Sequence, residues 1–104
     1  MIISTADSIE DKKIKKTYGM VNGHCVKARG TLRDAQAGLR NVLGGRVGVY
    51  EELLTDSRQL AIDIMITEAE NLGANAIVAF RMSTNSVMQG ATEIFVYGTA
   101  VSVE

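Results

Sequence analysis

The sequence has no proline, no tryptophan, a single cysteine and a single histidine among its 104 residues. Without proline, repeats or low-complexity tracts it offers no candidate linker, which predicts one domain over residues 1–104. A lone cysteine cannot form an internal disulfide bond, and this is typical of a reducing compartment. No apolar run approaches the roughly 18 residues of a membrane span, and the N-terminus shows no signal-peptide pattern, so we expect a cytoplasmic protein.

The net charge is close to zero, and aromatic side chains are few. The net charge is −1 and the sequence pI about 5.8, so no overall field draws the chain to nucleic acid or to a membrane, and we expect neither as a partner. The basic cluster Lys12–Lys16 is more typical of a solvated strand start than of a phosphate site. Two phenylalanines and three tyrosines provide few large side chains for closing a small core, which favours burial between copies of the chain.

The apolar periodicity predicts an α+β domain. Helical spacing indicates a short helix at about 31–43 and a long helix at about 47–72, each followed by glycine. Extended patterns cover residues 2–10, 14–26, 76–83 and 92–103, with a flexible hairpin connection expected at 84–91. We predict a two-layer subunit whose mainly antiparallel sheet is covered on one face by the long helix, with nothing in the chain to cover the other face.

The long helix carries two apolar surfaces in projection. Ile62 and Ile66 lie about 100° or more from the centre of the main stripe, and we interpret them as an interface with another subunit. Glu68 falls inside the stripe, where its carboxylate would reach solvent or pair with a basic residue. The stripe predicted to face the sheet consists of Tyr50, Leu53, Leu54, Ser57, Leu60, Ala61, Ile64, Met65 and Leu72.

His24 and Cys25, the only imidazole and the only thiol, are adjacent. Neighbouring side chains of a strand point to opposite faces, so one chain cannot easily aim both at one metal ion, and a structural zinc site would need four ligands. A buried cysteine beside a surface histidine is the plainer interpretation. The alternative needs symmetry, since a ring of subunits would place several Cys25 thiols at one radius, and thiolate favours soft ions such as copper(I) or zinc.

A glycine-rich turn over residues 44–48, with Arg46 at its centre, separates the two predicted helices. Its backbone N–H groups and Arg46 could hold an anion. It lacks the Lys-Ser/Thr pair of a phosphate-binding loop and follows a helix, so a tight turn with a positive φ at Gly44 or Gly45 is favoured. No convincing set of nucleophile, base and orienting acid can be assembled, and we expect a non-enzymatic protein.

Short motifs recur in a fixed order from one end of the chain to the other. They are Ile3-Ser4-Thr5, Val21-Asn22-Gly23, Arg33-Asp34, Arg40, Gly44-Gly45-Arg46, Gly48, Tyr50-Glu51, Arg58, Gly73-Ala74-Asn75-Ala76 and Gly98-Thr99-Ala100-Val101. In this order and spacing they resemble the YbjQ-like family, whose members are described as heavy-metal-binding. The resemblance implies a two-layer α+β subunit assembled into a pentameric ring, which would cover the second face of the sheet.

The sequence departs from the pattern of that family in three places. His24-Cys25 stands where relatives usually have Glu-Ala, and Ile64 replaces a glutamate that is frequent in the long helix. The strand after Gly73-Ala74-Asn75-Ala76 typically carries alternating acids, which are here Arg81, Ser83 and Asn85. The missing carboxylates argue against a site for hard cations such as calcium.

Three functions follow, in order of preference. The first is a non-enzymatic homo-oligomeric ring, pentameric by the resemblance, that binds a soft metal ion or a chalcogen species through Cys25 with His24 as a second donor. The second is a purely structural or partner-binding ring without metal, with Arg33, Arg40 and Arg46 on its contact surfaces. The third is an enzyme with a site at a subunit junction near Arg46 and Glu51. A Cys25 packed inside the subunit would argue against the first.

Overall fold

The computed structural model describes residues 1–27, 48–89 and 91–104, with the side chains of all of these except 27 and 48–53. The elements in these ranges are β1 (Ile2–Ile3), β2 (Ile14–Lys27), α1 (Gly48–Leu72), β3 (Ala76–Met88) and β4 (Ala91–Val103). They confirm the α+β class and the long helix. The predicted short helix at 31–43 and the turn at residues 44–47 lie outside the described residues.

The four strands form one sheet in the order β1-β3-β4-β2. β4 lies between β2 and β3 and runs antiparallel to both, whereas β1 adds a short parallel pair at the other edge of β3. The flexible connection predicted from Thr84 is wrong, because Thr84, Asn85 and Ser86 remain in register with β4. Cross-strand pairing overrides the polar composition of this segment, and β3 continues to Met88.

Helix α1 packs against β2 and β4 at unusually short range. Gly23 permits this approach, because a Cβ atom there would overlap the carbonyl oxygen of Ala61 and lie 2.9 Å from the amide nitrogen of Met65. The C-terminal end of α1 is held at the start of β2, where the Tyr18 hydroxyl donates to the carbonyl oxygen of Gly73 at 3.3 Å. The helix and β2 are therefore antiparallel, with Gly23 at their closest contact.

The buried face of α1 differs from the predicted stripe. Its fully buried members are spaced by four residues: Ser57, Ala61, Met65 and Ala69. Ile62 and Ile66 are partly buried and pack against this same core, so their placement on an outer face was wrong. Ser57, Ala61 and Met65 of the predicted stripe are confirmed as buried, whereas its members Leu60, Ile64 and Leu72 are 44–47% exposed.

Size, more than hydrophobicity, decides this orientation of α1. Small side chains predominate where the helix backbone meets Gly23, with Ser57, Ala61 and Ala69 turned inward and Leu60 turned outward. Met65 is the one large side chain that is fully buried on this face of the described helix. Glu68 then lies at the margin, where it is exposed and its carboxylate accepts a hydrogen bond from the Asn22 amide at 3.3 Å.

The sheet face opposite α1 is partly covered by the chain's own N-terminal segment. Ile9 of this segment packs on a second buried cluster, formed by Ala76, Val78, Val101 and Val103, together with Ile14, the first residue of β2. The expectation that nothing in the chain covers this face is wrong at this end of the sheet.

A bulge in β3 holds that segment in place. Ala79 has a φ of 55°, and the register of β3 against β4 shifts between Val78 and Arg81. Two successive amides consequently point to the N-terminal segment: the Ala79 N–H donates to the carbonyl oxygen of Ala6 at 2.8 Å, and that of Phe80 to Ser4 at 3.0 Å.

Asn75 joins the segment after α1 to the last strand. Its side-chain amide donates to the carbonyl oxygen of Val103 at 2.9 Å, and its Oδ1 accepts from the Val103 N–H at 2.8 Å. The Asn75 side chain thus makes the two hydrogen bonds to Val103 that a neighbouring strand would otherwise make. Gly73, with a φ of 97°, follows the last residue of α1, as the sequence predicted.

We expect Gly23→Ala to destabilise the fold by roughly 1–3 kcal/mol, because the added Cβ overlaps backbone atoms of α1 that move only if the helix lifts. The control is His24→Ala, at the exposed neighbouring position, which should change stability by no more than about 0.5 kcal/mol. Denaturant unfolding of both variants at one protein concentration measures the difference. Equal stabilities would show that α1 is not seated on Gly23.

We expect Asn75→Ala to cost about 2 kcal/mol, since it leaves the N–H and C=O of Val103 without their side-chain partners. In thermal unfolding this corresponds to a melting temperature lower by roughly 10 °C for a domain of this size. Asn85→Ala is the matched control, because that exposed amide donates only to the Ser83 hydroxyl. A melting temperature that falls equally in both variants would contradict the assigned role of Asn75.

Candidate functional site

Strand β2 directs His24 and Cys25 to opposite faces of the sheet. Cys25 is 8% exposed and belongs to the buried cluster beneath α1, together with Val21, Met65 and Ile94. His24 is exposed on the other face, where it is in register with Phe95 of β4. A metal ion held by one chain cannot have both side chains as ligands.

The surroundings of Cys25 are those of a packing residue. A buried thiol among aliphatic side chains behaves as a small hydrophobic group, and its burial beneath α1 restricts the access of an ion to it. Over the residues that the structure describes, no group of three His, Cys, Asp or Glu side chains could hold a metal ion. The donors present here therefore do not fit a metal centre.

The sheet face that carries His24 displays a patch of nine residues, which we call the open-face patch. It consists of three rows across β2, β4 and β3: Asn22–Tyr97–Arg81, His24–Phe95–Ser83 and Val26–Glu93–Asn85. The half-buried rings of Phe95 and Tyr97 form its centre, with ring centroids 5.5 Å apart. His24, Val26, Arg81 and Asn85 at the rim are exposed.

The polar groups of the open-face patch do not converge on a point. The Arg81 guanidinium is held at the N-terminal segment, where Nη1 donates to the carbonyl oxygens of Thr5 at 2.9 Å and Phe80 at 2.8 Å. Glu93 is the patch's single carboxylate, whereas calcium takes roughly six to eight oxygen ligands. Paired aromatic rings with a polar rim are instead typical of a contact surface.

The other candidates from the sequence are not brought to this patch. Arg33, Arg40 and Arg46 lie outside the described residues, and the backbone of Glu51 is in α1 while its side chain is not described. Ile62 and Ile66 are partly buried side chains of α1 that pack against the core. Within the described ranges, no helix combines the length and apolarity needed to cross a membrane.

Sequence reasoning missed Phe95 and Tyr97 as surface candidates. The signal was present in the alternation Ile94-Phe95-Val96-Tyr97, which assigns the aliphatic residues to one face and the aromatic residues to the other. Which of the two sets faces outward is decided by the fold, because Ile94 and Val96 lie on the face of β4 that packs beneath α1.

Comparison with known proteins decides the family. A family model described as "Putative heavy-metal-binding" matches residues 1–104, the whole of this sequence. The chain belongs to the YbjQ-like family. A UPF0145 protein of Clostridioides difficile (strain 630) is 47% identical over 104 residues, covering 100% of this chain and 93% of the relative. A UPF0145 protein of Methanosarcina acetivorans is 45% identical over 103 residues, covering 99% and 97%.

A solved structure shares the YbjQ-like fold. The crystal structure of a protein of unknown function from Pediococcus pentosaceus ATCC 25745, assigned to the DUF74 family, aligns with a TM-score of 0.52 at 15% identity, covering 100% of this chain and 98% of the other. At this identity the likeness supports the α+β fold and nothing about activity.

We expect Cys25 to react with a thiol reagent at least about 100-fold more slowly in the native protein than in denaturant, because the reagent must wait for the helix to open. The control is Leu60→Cys in a Cys25→Ser background, which moves the thiol to an exposed position on α1 and should react at the unfolded rate. The same burial predicts equal zinc and copper(I) uptake by wild type and Cys25→Ser. Rapid native labelling, or metal uptake lost with the thiol, would contradict the packing role.

Proposed function

We propose that this YbjQ-like chain is a non-enzymatic subunit of a cytoplasmic homo-oligomeric ring, and that its function lies in assembly and partner contact, with no metal held at Cys25. The observation that carries the proposal is the position of that thiol. The residue most suited to soft-metal chemistry is enclosed in the core, while the surfaces left outside are suited to contact with protein.

The weakness of the core supports assembly. Six of the fifteen buried apolar residues in the described ranges are alanines, and none is aromatic. Alanine buries little surface, so the hydrophobic stabilisation of a single chain is small. Association would add burial that one copy cannot provide.

The described surface supports the same proposal. Ten large hydrophobic side chains there are at least 39% exposed, and the half-buried ring pair of Phe95 and Tyr97 lies at the centre of the open-face patch. Scattered surface apolar residues are ordinary, but aromatic rings backed by a rigid sheet are enriched at protein interfaces. The family resemblance supports five copies in a ring.

The two competing functions have less support. A soft-metal or chalcogen carrier would need a donor set that the described residues do not bring together. An enzyme with its site near Arg46 and Glu51 depends on side chains outside the described ones, and no observed contact favours it. The description of the family as heavy-metal-binding is therefore not carried over to this chain.

We expect a mass of about five times the 11.2 kDa chain mass, because the ring buries surface that a single copy leaves exposed. Native mass spectrometry and light scattering at micromolar concentration measure it, on protein purified without added metal. A chelator-treated sample is the control and should give the same mass, since the proposed ring contains no structural metal. A monomer would contradict the proposal, and a mass that falls on chelation would restore the metal-binding alternative.

A further inference from the structure

The sheet has two unpaired edges, one on each side. Within the described residues, β2 pairs with no strand except β4, and on its outer edge only the Asn22 N–H has a partner, the Glu68 carboxylate. On the other side, the backbone hydrogen bonds of β1 and the N-terminal segment reach β3 only as far as Phe80. From Met82 to Met88 no strand of the described chain pairs with the outer edge of β3.

Hydrogen bonds at these edges show which backbone groups point outward. The Phe80 N–H donates away from β4, to Ser4, so by strand alternation the N–H and C=O groups of Met82, Thr84 and Ser86 point the same way. On β2 the Asn22 N–H points away from β4, to the exposed Glu68 carboxylate at 3.3 Å. The same alternation leaves His24 and Val26 with outward amide groups.

Both edge segments lack charged side chains and proline, two of the features that normally prevent strands from pairing, although the register of β3 shifts between Ser86 and Met88. The segments Met20–Val26 and Met82–Met88 are each seven residues long and contain no Lys, Arg, Asp, Glu or Pro. At about 3.3 Å per residue each is long enough to accept a full strand. Half of the ten exposed large hydrophobic residues in the described ranges lie on them: Met20, Val26, Met82, Val87 and Met88.

We infer that Met82–Met88 of one copy pairs with the outer edge of Met20–Val26 of the next copy, head to tail, an inference that rests on the proposed homo-oligomer. β2 and β3 run in the same direction, because each is antiparallel to β4. Repeating the subunit sideways therefore places β3 parallel to the neighbour's β2 and continues the sheet. A two-fold pair of identical edges would leave the other edge of every copy unpaired, whereas the head-to-tail contact satisfies both and can close into a ring.

Proline substitutions at the two edges test this contact. Thr84→Pro and His24→Pro each remove an outward N–H that has no partner in the described chain, at edge positions where proline is tolerated. The matched controls are Thr84→Val and His24→Thr, which keep the N–H. We expect the proline variants to fall to the 11.2 kDa mass of one chain by light scattering, while the controls keep the wild-type mass. Circular dichroism checks that each variant is folded.

Mixing the two proline variants distinguishes head-to-tail from two-fold pairing. Thr84→Pro retains an intact β2 edge and His24→Pro an intact β3 edge, so an equimolar mixture should form a dimer of twice the chain mass and grow no further. A two-fold contact would instead let one variant dimerise alone. That result, or proline variants that keep the wild-type mass, would overturn the inferred contact while leaving the proposed oligomer in place.

Amide hydrogen exchange gives a second measurement that does not depend on how well the variants fold. In wild type the amides of Met82, Thr84 and Ser86 should exchange at least about 100-fold more slowly than in an unfolded chain, because the neighbour's strand covers them. Fast exchange at all three in an oligomeric wild type would overturn this interface alone. A monomeric wild type would overturn both the interface and the proposed function.

Discussion

The contact between Gly23 and the backbone of α1 is the constraint on which the rest of this structure depends. The missing side chain lets the carbonyl oxygen of Ala61 approach β2 directly, and three of the four fully buried residues on the described facing side of the helix are small, Met65 being the exception. The rotation of α1 follows, with Ser57 and Ala69 inside and Leu60 outside. Because α1 lies this close, Cys25, which is two residues further along β2 on the same face, is buried as well.

The same contact gives the two faces of β2 different surroundings. Residues that share a face with Gly23 are covered by α1, and those that alternate with them, His24 among them, face outward. The adjacent thiol and imidazole are thus separated by the thickness of the sheet, which removes the simplest metal site that the sequence offered. What remains outward is a central pair of aromatic rings with polar neighbours, suited to contact with another surface.

The N-terminal segment covers only one end of the sheet face opposite α1, and beyond it, within the described ranges, the edges of β2 and β3 are open. The bulge at Ala79 turns two amides toward the N-terminal segment, and the segment's backbone hydrogen bonds with β3 end at Phe80. Beyond Phe80, β3 continues for eight residues, to Met88. In the part of the chain that the structure describes, β4 is the single strand that neighbours this stretch, and it is also the single strand that neighbours β2. A strand that pairs with either open edge would stabilise this sheet. Because the described core is small and rich in alanine, the chain would gain stability from such pairing.

Features that depend only on periodicity or alternation along the chain were predicted from the sequence. They are the α+β class, the long helix followed by Gly73, the strand that carries His24 and Cys25, and the opposite directions of those two side chains. Strand length in the hairpin was misjudged, since pairing with β4 outweighs the polar composition of Thr84–Ser86. The sequence pattern correctly placed Ser57, Ala61 and Met65 on the buried side of α1, but only the tertiary structure decided that Leu60 is exposed and that Ile62 and Ile66 pack against the core. The physical reason is that hydrophobicity ranks Leu60 above Ala61, whereas the space beside Gly23 admits only the smaller residue.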